Sequence, residues 1–246
     1  MNRSGLIVAL SIAAVAGLVF GVFPVLDLKV AALFYPVRLG GNMFAWRLSP
    51  TLSAVHNIAL NAGFVLVAPA VIAPVLKLLL PRTHMLISGR AIVFLISTML
   101  LAPGLITNVL LKDHWGRPRP IDVTQFGGDQ HFVAWWDPRG DCPDNCSFVS
   151  GDVATAAWTF APAALAPLPY RAVAYGAALA LTVFMAVIRI MAGGHFPSDT
   201  IFAGVFTFLI VWLAYALIYR WRTRLDDKQI ETGLERISIV RWLSRR

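Results

Sequence analysis

A chain of 246 residues that is 58% hydrophobic and only 14% charged falls well short of the roughly 25% charge of a soluble domain. The composition therefore specifies an integral membrane protein. The formal net charge of +8 raises nucleic acid as a partner, but the positives flank apolar runs and crowd the C-terminal end. That distribution orients a chain in a bilayer and argues against a nucleic-acid surface.

A membrane span needs about 20 mostly apolar residues. The first such run is Gly5 to Leu26, preceded by Arg3. Ala14-Val15-Ala16 resembles a signal-peptidase site, but the apolar stretch continues to Phe23, so an uncleaved first helix is expected. From Asp27 to Ala54 the composition is mixed. A short interfacial helix is expected over Lys29 to Pro36, ended by Gly40-Gly41-Asn42. The second run, Val55 to Leu80, is kinked by Pro69 and Pro74. The third, Ala91 to Leu111, ends at Lys112 and precedes a long polar segment from Asp113 to Cys146. The fourth, Val149 to Leu168, contains Pro162 and Pro167; the fifth, Ala172 to Met191, follows Arg171. A Gly193-Gly194 turn leads into the sixth, Ser198 to Tyr219. The expected fold class is all-α: one polytopic domain of six spans over residues 1–224, with a tail at 225–246. In the tail, Ile230, Leu234, Ile237, Val240 and Leu243 recur at helical steps among Arg236, Arg241, Arg245 and Arg246. An amphipathic helix on anionic lipid and a plain solvated tail both accommodate this pattern.

Six spans put both termini on one side. Arg3, Lys77, Arg82, Arg90, Arg171, Arg220, Arg222 and Arg224 all fall there, so the positive-inside rule makes that face cytoplasmic. Lys112, Arg117, Arg119 and Arg139 in the long loop oppose the rule. The expected location is a bacterial inner membrane, with both termini cytoplasmic and the long loop in the periplasm. Cys142 and Cys146 lie in that loop, where an oxidising compartment permits a bridge. A metal site completed by His131 or an aspartate, or two free thiols, are the alternatives.

The charged residues of the outer face form three groups. Lys112, Arg119 and Arg189 bring fixed positive charge to a membrane boundary, which an anion would compensate. Arginine matches phosphate oxygens with a planar fork and lysine adds a point charge. Ser150-Gly151 opens a helix, where backbone N–H groups cradle anions and glycine allows close approach. His195 precedes Asp199 by four residues. An aspartate accepting from one imidazole nitrogen would leave the other free as a nucleophile. Together these suit phosphoryl transfer through a phosphohistidine, with the cations stabilising the transferring group. Two-metal carboxylate clusters are missing from this face of the sequence, so no metal or cofactor is expected.

At these positions the chain resembles the type 2 phosphatidic acid phosphatase (PAP2) superfamily, which shares a helical core with vanadium haloperoxidases. The family pattern is K-x6-R-P, then P-S-G-H, then S-R-x5-H-x3-D. Lys112 to Arg119-Pro120 matches the first, and Arg189, His195 and Asp199 match the third, with Ile188 in place of serine. The resemblance implies that Lys112, Arg119, Arg189, Ser150 and Gly151 hold the phosphoryl oxygens. It makes His195 the nucleophile and Asp199 its orienter. The second motif departs: Val149-Ser150-Gly151-Asp152 stands where the family has its acid histidine. Three readings are open. Asp152 is a tuned acid, His114 or His131 substitutes, or the leaving group needs little protonation.

The loop with Phe126-Gly127-Gly128 and Cys146 to Gly151 is similar to that of bacterial members that remove the 1-phosphate of lipid A. That phosphate is glycosyl, which accords with a weak acid. Phosphatidylglycerophosphate and undecaprenyl diphosphate are rival substrates. A lipid phosphotransferase using the same phosphohistidine, or a site that binds phospholipid without turnover, are rival activities. Arg117 joins the phosphate clamp or pairs with Asp113. His56 and His84 read as structural or interfacial, and Trp135-Trp136 as an interfacial anchor.

Overall fold

The computed structural model describes residues 1–35, 44–221 and 226–237. Gly40-Gly41-Asn42, Arg222, Arg224, Leu225 and the tail positions from Val240 onward lie outside the described residues. Within them the fold is helical, with a single isolated bridge between Val123 and Gln130.

Helix starts follow their sequence signals. Helix α1 (Arg3–Val22) begins where the Asn2 side chain accepts from Gly5 N at 2.9 Å. Helix α2 spans Val25–Ala32. It starts earlier than the interfacial helix expected over Lys29 to Pro36, and it buries Asp27 completely. After a 3-10 turn at Ala45–Leu48 comes α3 (Pro50–Leu79), capped by Ser49 and begun by proline, whose missing N–H costs nothing there. Ser88 caps α4 (Gly89–Leu111) by accepting from Ala91 N at 3.2 Å. From Leu100 onward α4 winds wider, with i to i+5 spacing. Pro103 lies in this stretch, and its carbonyl accepts from Asn108 Nδ2 at 2.6 Å. The last wide turn closes with Lys112 N on Thr107 O at 3.1 Å.

The fourth apolar run does not form one long helix. It divides into α5 (Gly151–Trp158) and α6 (Phe160–Leu165) at Thr159, whose hydroxyl donates back to Ala156 O at 2.6 Å. Helices α7 (Leu168–Met191) and α8 (Pro197–Arg220) follow. Among the described residues five helices, α1, α3, α4, α7 and α8, are long and apolar enough to cross a membrane. The pair α5–α6 carries the chain from the Lys112 end back to the Arg171 end inside the bundle, with α5 packed on α3, α4, α7 and α8. Its buried Gly151, Ala154, Ala156 and Ala157 let neighbouring backbones close in. Trp158, fully buried, donates from Nε1 to Thr98 Oγ1 at 2.9 Å.

Helix α1 runs antiparallel to α8. Asn2 O accepts from Trp212 Nε1 at 3.0 Å near one end, while Gly17 faces Trp135 and Phe202 near the other. Trp135 is half-buried and packs against the core: it lies on Phe202 at 4.4 Å between ring centroids, and its carbonyl accepts from Trp115 Nε1 at 2.7 Å. Trp136 is exposed. The long loop folds back over this end of the bundle. Val123 and Phe126 pack with Ala31, Phe44 and Phe196 into a small core of their own.

At the opposite end lies α9 (Asp227–Arg236). It docks on the bundle, which neither expectation for the tail anticipated. Buried Lys77 reaches Glu231 at 2.9 Å and Glu235 at 2.8 Å and also donates to Thr83 O. Asp227 accepts from Arg90 N at 2.8 Å, and Ile230 rests on Gly89.

Candidate active site

His195 is buried at the α7–α8 turn. Its Nδ1 lies 2.7 Å from the carbonyl oxygen of Ser147. A carbonyl only accepts, so Nδ1 carries the proton and Nε2 keeps the lone pair. The sequence reading gave this orienting contact to Asp199. The structure instead places Asp199 one step away, where its Oδ2 accepts from Ser147 Oγ at 2.6 Å and from Phe196 N at 2.8 Å. Asp199 thus fixes the residues on either side of the histidine. Burial holds His195 well below the ordinary imidazole range, helped by the positive charges of Arg189, Lys112 and Arg119. The ring is neutral at pH 7, as a nucleophile requires.

Arg117 does not join Lys112, Arg119 and Arg189 in the cluster that acts on His195. It is fully buried, with Nη1 on Asp199 Oδ1 and, at 2.8 Å, on Ser198 Oγ. Its Nη2 meets Asp27 Oδ2 at 2.8 Å, and its Nε donates to Val133 O at 3.1 Å. The guanidinium lies 4.6 Å from the Phe196 ring centroid. Asp27 completes the network by accepting from Ser198 N and Oγ at 3.0 and 2.6 Å. Two buried carboxylates are thus shared by one arginine, and hydroxyl and amide donors satisfy the remaining lone pairs, without which such charges are costly.

Lys112 and Arg119 meet at Asn145. Lys112 Nζ donates to Asn145 Oδ1 at 3.2 Å, and Arg119 donates from Nε and Nη2 to Asn145 O at 3.1 and 2.7 Å. Asn145 has φ +45, in the left-handed region. It sits inside the ring closed by a disulfide between Cys142 and Cys146. Burial and Arg119 push Lys112 below the ordinary lysine range, and burial and Arg189 act on Arg119 in the same direction. Such a cluster favours an anion. Ser150 caps α5, with Val153 N 3.5 Å from its Oγ, and the N–H groups of the first turn have no intrahelical acceptor. Glycine is needed at two close approaches. A Cβ on Gly151 would lie 2.7 Å from Asn108 Oδ1 and 3.3 Å from Lys112 Nζ, and one on Gly194 would lie 2.6 Å from Arg189 Nη2.

Asp152 Oδ2 lies 2.9 Å from Arg189 Nε, without hydrogen-bond alignment, and 3.2 Å from His56 Nε2. His56 comes from α3, and it stands beside Asp152 where the sequence alone reads it as structural or interfacial. His114 and His131 do not join the site: both are exposed, with His114 Nδ1 on Val109 O and His131 beside Asp141. A cavity of about 260 Å³ opens between the first turns of α3 and the end of α7. Arg119, Arg189, Gly194 and His56 line it, together with Trp46 and Arg47 from the 3-10 turn.

The sequence reading also missed Asp27, Ser147 and Asn145. Asp27 carried a usable signal, because an acid at the edge of an apolar run implies a buried partner. Ser147 and Asn145 act largely through backbone carbonyls, which residue type does not advertise.

A buried neutral histidine beside three cations, inside a bundle of membrane-length helices, defines the class. The chain belongs to the PAP2 superfamily, whose pattern matches residues 91–223, and it is a membrane phosphatase that hydrolyses a lipid phosphate monoester. It is 34% identical over 221 residues to the lipid A 4'-phosphatase of Francisella tularensis subsp. novicida, covering 89% of this chain and 98% of that relative. It is also 34% identical over 134 residues to the lipid A 4'-phosphatase of Rhizobium leguminosarum, covering 54% of each chain. No solved structure matches the chain.

Proposed function

We propose that this phosphatase removes the 4'-phosphate of lipid A through a phosphohistidine on His195. The observation that carries the reaction is the Ser147 carbonyl on His195 Nδ1 at 2.7 Å, which leaves Nε2 free to attack phosphorus. Lys112, Arg119 and Arg189, with the first N–H groups of α5, hold the phosphoryl oxygens and stabilise the charge that builds on them. The choice of lipid A and of its 4' position rests on the name carried by the Francisella relative, which this chain covers almost end to end. This replaces the glycosyl 1-phosphate suggested by the loop. The orientation follows from the clustered cations at the far end of the bundle: termini and α9 in the cytoplasm, site and disulfide in the periplasm.

The test uses purified protein in detergent with lipid A bearing both phosphates, and with phosphatidylglycerophosphate and undecaprenyl diphosphate as comparators. Mass spectrometry of the product identifies which phosphate is lost. Loss of the 4'-phosphate by the wild type and not by His195→Ala supports the reading. Loss of the 1-phosphate, or preference for a comparator, rejects the assignment while leaving the phosphohistidine chemistry intact.

A further inference from the structure

A 4'-phosphate leaves behind an ordinary secondary alcohol, a poor leaving group that needs a proton as its bond to phosphorus breaks. The position where the family keeps an acid histidine holds Asp152 here, and the Asp152 oxygen faces two donors, Arg189 Nε at 2.9 Å and His56 Nε2 at 3.2 Å. To act as an acid, Asp152 would have to abandon the charge that holds both. His56 is placed to take over. It lines the cavity with Arg119 and Arg189. A carboxylate accepts from its Nε2, so that nitrogen carries a proton. Among the described residues the other ring nitrogen, Nδ1, has no hydrogen-bond partner.

We propose that His56 is the proton donor of this phosphatase and that Asp152 is its positioning residue, so that the acid has moved from the start of α5 to the second turn of α3. The inference rests on the phosphohistidine reading of His195. In the first step His195 Nε2 bonds to phosphorus as the P–O bond to the lipid breaks, and the proton on His56 Nδ1 passes to the departing oxygen. The lipid alcohol leaves. In the second step water attacks the phosphorus and gives one proton to His56 Nδ1. The P–N bond breaks, inorganic phosphate departs, and both histidines return to their starting states. His56 thus enters the first step with a proton on each ring nitrogen, and the ring is neutral from there until the second. Asp152, held on Nε2, compensates the positive form against Arg189 from α7, Arg119 from the loop and Arg47 from the 3-10 turn, which line the same cavity, and against Lys112, which acts on Asp152 from the end of α4.

His56 lies outside residues 91–223, the part of the chain that matches the family pattern. It would therefore be invisible to any reading confined to the motifs.

The test compares His56→Ala, His56→Gln and His195→Ala on two substrates, lipid A and an aryl phosphate whose phenol leaves without protonation. General acid catalysis contributes about 10²–10⁴-fold. The His56 variants are expected to lose about that factor on lipid A. Their first-turnover release of phenol from the aryl phosphate should fall by less than about tenfold, since that step needs no acid. They should also lose the basic limb of the kcat/KM profile, which reports the free enzyme's essential acid. His195→Ala should be inactive on both substrates. Equal losses on the two substrates, or an unchanged basic limb, with His195→Ala inactive, would overturn the role of His56 alone. Activity surviving in His195→Ala would overturn the phosphohistidine reading and this proposal with it. His56→Gln keeps an N–H donor toward Asp152, so an unaltered melting temperature in that variant excludes misfolding as the cause of any loss.

Discussion

The carbonyl oxygen of Ser147 accepts the Nδ1 proton of His195 at 2.7 Å, so Asp199 reaches the His195 ring only at one remove. Its oxygen grips Ser147 Oγ and Phe196 N, the residues that present and follow the ring. Ser147→Ala removes the grip but leaves the carbonyl. The expected cost is about 1 kcal/mol of stability, with kcat lowered by less than about tenfold, the equivalent of 1.36 kcal/mol. A fall as deep as that of His195→Ala would show that the serine hydroxyl does more than position.

Arg117 and Arg119 are two residues apart and should fail in opposite ways. Arg117→Met strands two buried carboxylates, and breaking such a pair costs about 3–5 kcal/mol, read as a lower melting temperature. Arg119→Ala removes one of several mutually repelling cations. Its melting temperature should stay level or rise, while KM rises. Stability and kinetics measured on the same two preparations separate the outcomes.

His195 makes stability depend on pH with a definite sign. Its folded pKa is depressed, while the unfolded chain takes up a proton near about 6.5. The unfolded state therefore binds more protons in the window below that value, and stability falls as pH falls through it toward the folded pKa. Wild type should lose more melting temperature between pH 7.5 and 5.5 than His195→Asn, which has no proton to gain. The acid limb of kcat/KM due to His195 should likewise lie well below about pH 6.5.

Asn145 ties the disulfide to the clamp. Opening the short ring between Cys142 and Cys146 should cost about 2 kcal/mol by loop entropy. It should also loosen the carbonyl that Arg119 uses and the amide that Lys112 uses. The double variant Cys142→Ser, Cys146→Ser is expected to show a raised KM as well as a lower melting temperature. An unchanged KM would mean that the left-handed turn at Asn145 holds without its ring.

Gly194→Ala places a Cβ 2.6 Å from Arg189 Nη2 and must displace the guanidinium. Vanadate, a phosphate mimic, should stabilise wild type by about 2.7 kcal/mol at a hundredfold excess over Kd. The variant should lose most of that shift while folding normally, which a thermal scan with and without the anion would show.

Much of the helical architecture was legible because long apolar runs bounded by arginines leave few alternatives. The cation set was legible because spacing alone carried it: Lys112, Arg119 and Arg189 converge around His195. What escaped lies where side-chain identity is silent. The division of the fourth run at Thr159 depends on neighbours that bury α5 on every side, not on its hydropathy. Arg117 reads as one more loop cation until Asp27, 90 residues earlier, is folded against it. His56 looks like any polar residue in an apolar helix until Asp152 arrives beside it, 96 residues later in the chain.

The broken pair α5–α6 sets a condition on how the chain is made. Residues 151–165 rise about 22 Å at 1.5 Å per residue, short of the roughly 30 Å of a hydrocarbon layer. When this segment leaves the ribosome, α7 and α8, two of the helices that enclose it, have not been synthesised. Lipid alone is a poor host for it, so its final seat is assigned late, by partners downstream. Reporter fusions made to successive truncations of this chain would therefore misplace everything between α4 and α7, and only tags inserted into the full-length protein would report the true topology.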